Sequence, residues 1–504
     1  MKSFKEVEAA RRAYHRDGSL NSVHRSSLTV PEIDGSEVDL SFVNHFLLKR
    51  GYRNIGCRVT ALDPDGQRIE SRLLTVSEPR VYTLKLTGMV REPVDGYLVE
   101  FFAAENLYIP FPAAMVNHRG PTHLNTVHSY NRVLNDVFED DAINATQVRE
   151  ASIDVRVDAD TDTFALFTAG PQPCRGSLGV ELATGAGVHR SEIELDVPRL
   201  CSRDISLRRC FPDLPETASG TLKLDPPPQF LFYGRMLTGM RRDDGAFSAN
   251  HSYYDSSTSE EYWDDDRPST RLYPFFAGLE NRVRMYPIMS PGRLAVSVEL
   301  FQADGERMSA APIGELASPG GAPLDCSVNA ICARQGIDRD AVVAFSVRTV
   351  PAGGNTPTRV NHQLVHGPLS GDGLSASVNV SLNNPNIFMP DGKTGFAWGQ
   401  APVGDAVEST LGLVGNVPDG KPCPLKLTFY DEQGELGARR FELEPGGAVR
   451  IDPAEALGWR GGGGTDTGDV SYLWYTAEAP RPDLTGYVVS RHKAASHYSG
   501  EHSF

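Results

Sequence analysis

Apolar residues that alternate with polar ones and then run into a glycine turn recur along this chain, and this pattern constrains the fold more than any other feature. The runs are 57–61 before Asp65-Gly66, 178–182 before Gly185, 294–300 before Asp304-Gly305, and 425–429 before Gln433-Gly434. A period of two indicates strands with one buried face, and Asp-Gly favours a hairpin. Because the turns recur about every 120 residues, close to the size of one β-sandwich, the sequence predicts tandem β units.

The predicted fold class is all-β: four tandem β-sandwich-like repeat units with a short N-terminal helix. Helical spacing of apolar side chains between Phe4 and Tyr14 predicts that helix within residues 3–17. The 48 Gly and 35 Pro among 504 residues suit this architecture, because both residues interrupt helices and concentrate in turns. The expected divisions are an N-terminal helical segment at 1–30 and sandwich units at 31–148, 149–262, 263–373 and 374–504.

Charge and composition exclude several classes of partner and cofactor. The 65 acidic residues outnumber the 49 basic ones, and the resulting net charge of −16 argues against nucleic acid as a partner. No apolar run reaches the roughly 18 residues of a membrane span, so the sequence predicts no membrane-spanning segment. Seven cysteines without a CxxC pair fit reduced thiols and a cytoplasmic location. No glycine loop follows a strand and opens a helix, so no nucleotide cofactor is expected.

Histidine recurs at matching places near the ends of the predicted units. The first and fourth units both contain the pattern His-x4-His-x4-His-Ser-aromatic, at His118, His123 and His128 and again at His492, His497 and His502. The second unit keeps only the end of the pattern, at His251. The third keeps only its beginning, at His362, with His366 near the second position. Two identical triads at equivalent positions indicate a shared feature of the repeats.

The triads predict a metal site. Three histidines and a water form a typical catalytic Zn²⁺ or Fe²⁺ centre. A spacing of five places successive side chains on opposite faces of a continuous strand, so each triad can converge only across a turn or bulge. The alternative is that these histidines hydrogen-bond loops and bind no metal. The predicted metal ligands are His118, His123, His128, His492, His497 and His502.

A second candidate site lies in the aromatic segment after the second unit's histidine. Tyr253, Tyr254 and Trp263 stand among Asn and Asp residues, a composition suited to stacking on sugar rings. Turn-stabilising aromatics would give the same sequence, so both interpretations stay open. The other candidate binding residues are His251, His362 and His366.

The sequence thus predicts a soluble, cytoplasmic β protein with a His-lined pocket that Zn²⁺ or Fe²⁺ could occupy, in the manner of a metal-dependent enzyme. The competing hypothesis is a non-catalytic scaffold that binds carbohydrate or protein and uses its histidines structurally. A small molecule or a carbohydrate is the expected ligand. Whether the chain catalyses a reaction, and in which oligomeric state, stays open.

Overall fold

The structure, a computed structural model, describes residues 25–103, 112–128, 132–133, 149–152, 155–170, 172–215, 218–228, 236–260, 262–263, 268–353, 355–382, 394–416, 421–459 and 470–504. Among these, one compact unit comprises the residues up to Pro121 and Thr126–Asp255. A second unit comprises Thr122–Asn125 and Ser256–Phe504. The first unit contains the first two β-sandwiches except for Thr122–Asn125, and the second unit contains the last two.

All four sandwiches repeat one arrangement of eight antiparallel strands. In each, the first, sixth, third and fourth strands form one sheet in that order. The fifth, second, seventh and eighth strands form the other. This repetition confirms the predicted all-β class with four tandem sandwich-like units.

The first unit holds the first two sandwiches. The strands of the first sandwich are β1 (Arg25–Pro31), β2 (Glu37–Val43), β3 (Ile55–Leu62), β4 (Arg68–Val76), β5 (Val81–Lys85), β6 (Gly96–Ala103), β7 (Met115–Arg119) and β8 (Leu124–His128), with β9 (Arg132–Val133) added beside β1. Those of the second are β10 (Glu150–Ser152), β12 (Thr161–Thr168), β13 (Cys174–Thr184), β14 (Gly187–Val197), β15 (Ser202–Ser206), β16 (Ala218–Asp225), β17 (Leu237–Arg242) and β18 (Phe247–His251), with the short β11 (Arg156–Val157) and β19 (Tyr253–Tyr254).

The second unit holds the last two sandwiches. The strands of the third are β21 (Ser269–Pro274), β22 (Glu280–Met285), β23 (Gly292–Phe301), β24 (Arg307–Ser318), β25 (Leu324–Ser327), β26 (Ala344–Pro351), β28 (Val360–Gly367) and β29 (Ala376–Leu382), beside the pair β20 (Tyr262–Trp263) and β27 (Thr356–Pro357). Those of the fourth are β30 (Gly395–Gly404), β31 (Val407–Gly415), β32 (Cys423–Tyr430), β33 (Glu435–Leu443), β34 (Val449–Ile451), β35 (Val470–Ala479), β36 (Leu484–His492) and β37 (His497–His502).

Short capped helices mark fixed points in the sandwiches. In the last three sandwiches a helix follows the fifth strand, and its N-cap side chain, Ser206, Ser327 or Asp452, accepts a backbone N–H of the first turn. No helix in the described part of the chain is long and apolar enough to cross a membrane. The helices are α1 (His45–Arg50), α2 (Leu207–Cys210), α3 (Val328–Gln335) and α4 (Pro453–Leu457), with a 3₁₀ turn at Arg339–Ala341.

The glycine turns seen in the sequence join the third and fourth strands of each sandwich. Gly66 and Gly305 have φ of 73° and 81°, a left-handed backbone that glycine adopts without steric cost. The Asp63 carboxylate accepts the backbone N–H groups of Asp65 at 3.0 Å and Gln67 at 2.7 Å. These hairpins therefore follow from local sequence.

Strand alternation sets the cores, and the core of the third sandwich extends to residues of the fourth. The apolar residues at alternate positions 294–300 are buried. Their cluster also contains Val414 and Tyr487 of the fourth sandwich. Gly412 permits this close approach, because a Cβ there would lie 2.6 Å from the ring of Pro274.

Strand pairing divides the chain differently from the predicted limits at two places. β1 begins at Arg25, inside the predicted N-terminal segment 1–30. β29 follows residue 373 yet pairs with β28 in the third sandwich. The predicted limits follow the spacing of turns, whereas pairing between distant strands decides which sandwich a strand joins. The other limits stay predictions, and the helix predicted over 3–17 lies outside the described residues.

Candidate functional site

The seventh and eighth strands of the first sandwich carry its predicted ligands. His118 lies in β7, and His128 ends β8. His123 lies just before β8, among the four residues that belong to the second unit. All three are buried, and the His118 ring lies 5.7 Å from the ring of Phe247.

The three histidines of the fourth sandwich do not meet at one centre. His492 and His497 face each other across the turn between β36 and β37, whereas His502 lies opposite Tyr487. At about 3.3 Å per residue, His497 and His502 are roughly 16 Å apart along β37. The Nδ1 atom of His497 also accepts the N–H of Leu374 at 3.0 Å. An extended strand with a spacing of five thus separates the predicted ligands, and burial lowers the pKa of His492.

Two of the His-Ser pairs form the same hydrogen-bonded motif. The N–H of Ser252 donates to the Met236 carbonyl at 2.8 Å, and the Met236 N–H donates to the serine Oγ at 3.0 Å. The N–H of Ser503 donates to the Gly486 carbonyl at 2.7 Å, and the Gly486 N–H donates to that serine's Oγ at 2.9 Å. Each motif ties the end of the eighth strand to the beginning of the seventh. We name these motifs His-Ser clasps: His251-Ser252 with Met236, and His502-Ser503 with Gly486.

The clasp histidines share one tautomer. The Nδ1 of His251 lies 2.7 Å from the carbonyl oxygen of Ser252, and the Nδ1 of His502 lies 2.7 Å from that of Ser503. Because a carbonyl only accepts, Nδ1 carries the proton and donates it. The lone pair of the neutral ring is then on Nε2. Metal-bound histidines commonly use this arrangement, in which one nitrogen donates to the protein and the other binds the ion.

The imidazole of His128 lies beside the clasp of His251 and Ser252. The ring centroids of His128 and His251 are 4.8 Å apart with planes at 87°, and the residues are only 8% and 4% exposed. The Ser252 hydroxyl donates to the carboxylate of Glu150, which is also buried. Imidazoles and carboxylates are donor types that bind Zn²⁺ and Fe²⁺.

The side chain of the residue before each clasp histidine accepts a hydrogen bond from the backbone N–H of that histidine. Glu501 Oε1 accepts the N–H of His502 at 3.1 Å. Asn250 Oδ1 accepts the N–H of His251 at 2.7 Å. The acceptor of the histidine N–H is therefore a buried carboxylate beside His502 and a buried neutral amide beside His251.

The third sandwich has an asparagine where the second and fourth sandwiches have a clasp histidine. Strand register leads from the residue two positions before the N-cap of the helix after the fifth strand to His251, Asn379 and His502 in the last three sandwiches. Gln363 Nε2 donates to Asn379 Oδ1 at 2.8 Å. Asn379 could not be identified from sequence, because the register between strands is not visible there.

His362 and His366, the predicted counterparts in the third sandwich, lie instead in β28 and are fully buried. The hydroxyl of Tyr273 donates to His362 Nε2 at 2.6 Å, and His362 Nδ1 lies 3.3 Å from the Val360 carbonyl. In the described part of the chain, neither ring nitrogen of His366 has a hydrogen-bond partner. Its ring contacts Phe276 edge-on at 5.0 Å. Burial lowers the pKa of each histidine to about 3.

The predicted aromatic surface is only partly accessible. Tyr253 is 5% exposed, and its ring lies 6.1 Å from that of His251. Tyr254 is half-buried. Trp263 pairs with Thr356 through its backbone, and its side chain lies outside the described part of the structure. Because stacking on a sugar needs an open ring face, the Tyr253 ring is not presented for it in this conformation.

Comparisons with known proteins assign no family. No protein-family description matches the chain, and no curated protein matches it. One solved structure, described as a tetra-tandem repeat in the extending region of a large adhesion protein, aligns over 94% of this chain and 97% of that chain with 11% identity and a TM-score of 0.10. Such a low TM-score supports no inference about this protein.

Proposed function

We propose that this protein binds a divalent ion, Zn²⁺ or Fe²⁺, through the histidines of its His-Ser clasps. The observation that carries the proposal is the shared tautomer, in which Nδ1 donates to the serine carbonyl at 2.7 Å in both clasps. A metal ion needs an unprotonated imidazole nitrogen, and a hydrogen bond from the other nitrogen raises its basicity. The clasp therefore supplies an oriented Nε2 before an ion binds.

The imidazole pair of the first unit supports a shared ion. With Zn–N distances of about 2.0–2.1 Å and ring centres roughly 1.2 Å beyond the nitrogen, two imidazoles on one tetrahedral ion have centroids about 5 Å apart. The centroids of His128 and His251 are 4.8 Å apart. Glu150 accepts a hydrogen bond from Ser252, so a buried carboxylate is bound to the residue that follows His251.

An ion held by two imidazoles keeps positions for water or substrate. A metal-dependent enzyme acting on a small molecule is therefore the catalytic form of this proposal. The cytoplasmic location expected from the sparse cysteines belongs to it as well.

A structural role is the competing function, and two observations favour it. The bonds of the clasp serines to the seventh strand do not use the histidine rings. His362 and His497 use ring nitrogens for hydrogen bonds inside the second unit. On this alternative the chain is a scaffold for carbohydrate or protein ligands, and its histidines fasten loops.

Metal content of the purified, untagged chain tests the proposal. Elemental mass spectrometry is applied after loading with Zn²⁺ or Fe²⁺ and removal of free ions. We expect bound metal in the wild type and a lower content in His128→Gln, His251→Gln and His502→Gln. The matched control is His497→Gln, which should keep its metal because Nδ1 of that ring already accepts the Leu374 N–H.

Ser252→Ala separates the metal site from the fold. It removes the clasp hydroxyl, at a cost of about 1–3 kcal/mol of stability, but keeps the His251 ring and its bond to the backbone carbonyl. Metal should therefore stay bound while the unfolding midpoint falls. No metal in the wild type, or equal metal in wild type and all histidine variants, would overturn the proposal.

A further inference from the structure

We infer that a cavity in the second unit binds a small organic carboxylate, at a site separate from the His-Ser clasps. The cavity has a volume of about 560 Å³ and is lined by residues of the third and fourth sandwiches. That volume suits a small molecule. Two guanidinium groups, Arg450 and Arg491, share its wall with the apolar side chains of Phe276, Ile451 and Val489.

One wall of the cavity is fixed before any ligand binds. It is the turn 276–279 between β21 and β22. The fully buried Asn281 side chain accepts the Phe276 N–H at 3.0 Å. The same side chain donates to the carbonyls of Phe276 and Leu279, each at 2.8 Å. A ligand therefore meets a pre-organised surface and needs little ordering of the protein.

The two guanidinium groups differ in what they already bind. Arg491 Nε lies 3.3 Å from Glu408 Oε1, so its charge is opposed by a carboxylate. Arg450 Nη1 donates to the Phe275 carbonyl at 3.0 Å, and in the described residues Arg450 forms no ion pair. A guanidinium has five N–H donors. Arg450 therefore keeps donors for a bidentate bond to a carboxylate.

The charged side chains around the cavity favour a monoanion over a dianion. The carboxylates of Glu408 and Asp452 line the same cavity and balance the two guanidinium groups. Asp452 Oδ1 already accepts the N–H groups of Ala454 at 2.8 Å and Glu455 at 3.1 Å. A dianion such as phosphate would face both carboxylates. A monocarboxylate with a hydrocarbon body matches Arg450 and the apolar wall.

Calorimetric titration of the full chain with benzoate tests the inference, with benzamide as the uncharged analogue of the same shape. We expect saturable benzoate binding that is at least tenfold tighter than benzamide binding. Arg450→Gln should weaken benzoate binding at least tenfold. Arg440→Gln, on the exposed strand β33, is the matched control and should leave it unchanged.

Glu408→Gln should raise the affinity for benzoate, a change that a misfolded protein would not produce. Removing this carboxylate frees Arg491 and lowers the repulsion of an anion, which should tighten benzoate binding severalfold. The inference is overturned if benzamide binds as well as benzoate, if Arg450→Gln leaves the affinity unchanged, or if inorganic phosphate binds more tightly than benzoate.

Discussion

The buried imidazole of His366 makes the second unit sensitive to acid. Burial lowers the pKa of His366 from 6.5 to about 3, and in the described part of the chain its ring nitrogens have no hydrogen-bond partner. The folded state therefore resists protonation that the unfolded state accepts. The stability contributed by the neutral His366 ring is complete above the unfolded pKa of 6.5 and is lost as pH falls from 6.5 toward 3. Between pH 7 and pH 5 the loss is about 2 kcal/mol for this one residue.

His366→Leu removes this titration while keeping an apolar side chain against Phe276. Urea unfolding of the segment 360–382 is followed by pulsed hydrogen exchange and mass spectrometry, because the chain has two compact units and one global signal would mix them. We expect the variant to lose about 2 kcal/mol less than the wild type between pH 7 and pH 5. His362 titrates in both proteins and cancels in the comparison.

A histidine of another sandwich, His189, provides the control. His189→Leu changes a half-buried histidine of the second sandwich and should leave the pH dependence of segment 360–382 unchanged. At pH 7, His366→Leu should be at least as stable as the wild type, because it removes two buried unpaired nitrogens. An identical pH dependence in wild type and His366→Leu would refute the reasoning.

Two further predictions concern packing and charge in the second unit. Gly412→Ala places a methyl group 2.6 Å from the Pro274 ring and should cost about 1–3 kcal/mol in urea unfolding, whereas Gly437→Ala, with no atom within 4 Å of its Cβ, should be nearly neutral. Equal effects would contradict the close approach of β21 and β31. Asp483→Ala leaves the buried Arg481, now paired at 2.6 and 2.7 Å, without its carboxylate and should cost about 3–5 kcal/mol. A thermal midpoint equal to that of the wild type would contradict this.

The strands and hairpins could be predicted because their signals are local. Alternation of apolar residues over 294–300 and the Asp304-Gly305 turn each depend on a few consecutive residues. The limits of the sandwiches depend on pairing between distant strands. β29 joins β28 across the turn that follows residue 367, and the spacing of turns alone does not reveal this.

The candidate site was predictable to the level of residue type and strand. The repeated histidines His128, His251 and His502 are the last residues of the eighth strand in the first, second and fourth sandwiches. The tautomer of His251, the closeness of its ring to that of His128 and the bond from Ser252 to Glu150 depend on register and side-chain direction. For the same reason the triad of the fourth sandwich could not be excluded from its sequence, although β37 keeps His497 and His502 apart.

The most direct test of the central claim is long-range ¹H–¹⁵N NMR of the imidazoles of His251 and His502 during Zn²⁺ titration. The clasp geometry predicts a protonated Nδ1 and an unprotonated Nε2 in both rings before metal is added. Zn²⁺ should then shift the Nε2 signals and leave Nδ1 protonated. Protonated Nε2 atoms in the metal-free protein, or Nε2 signals unchanged at saturating Zn²⁺, would contradict the account.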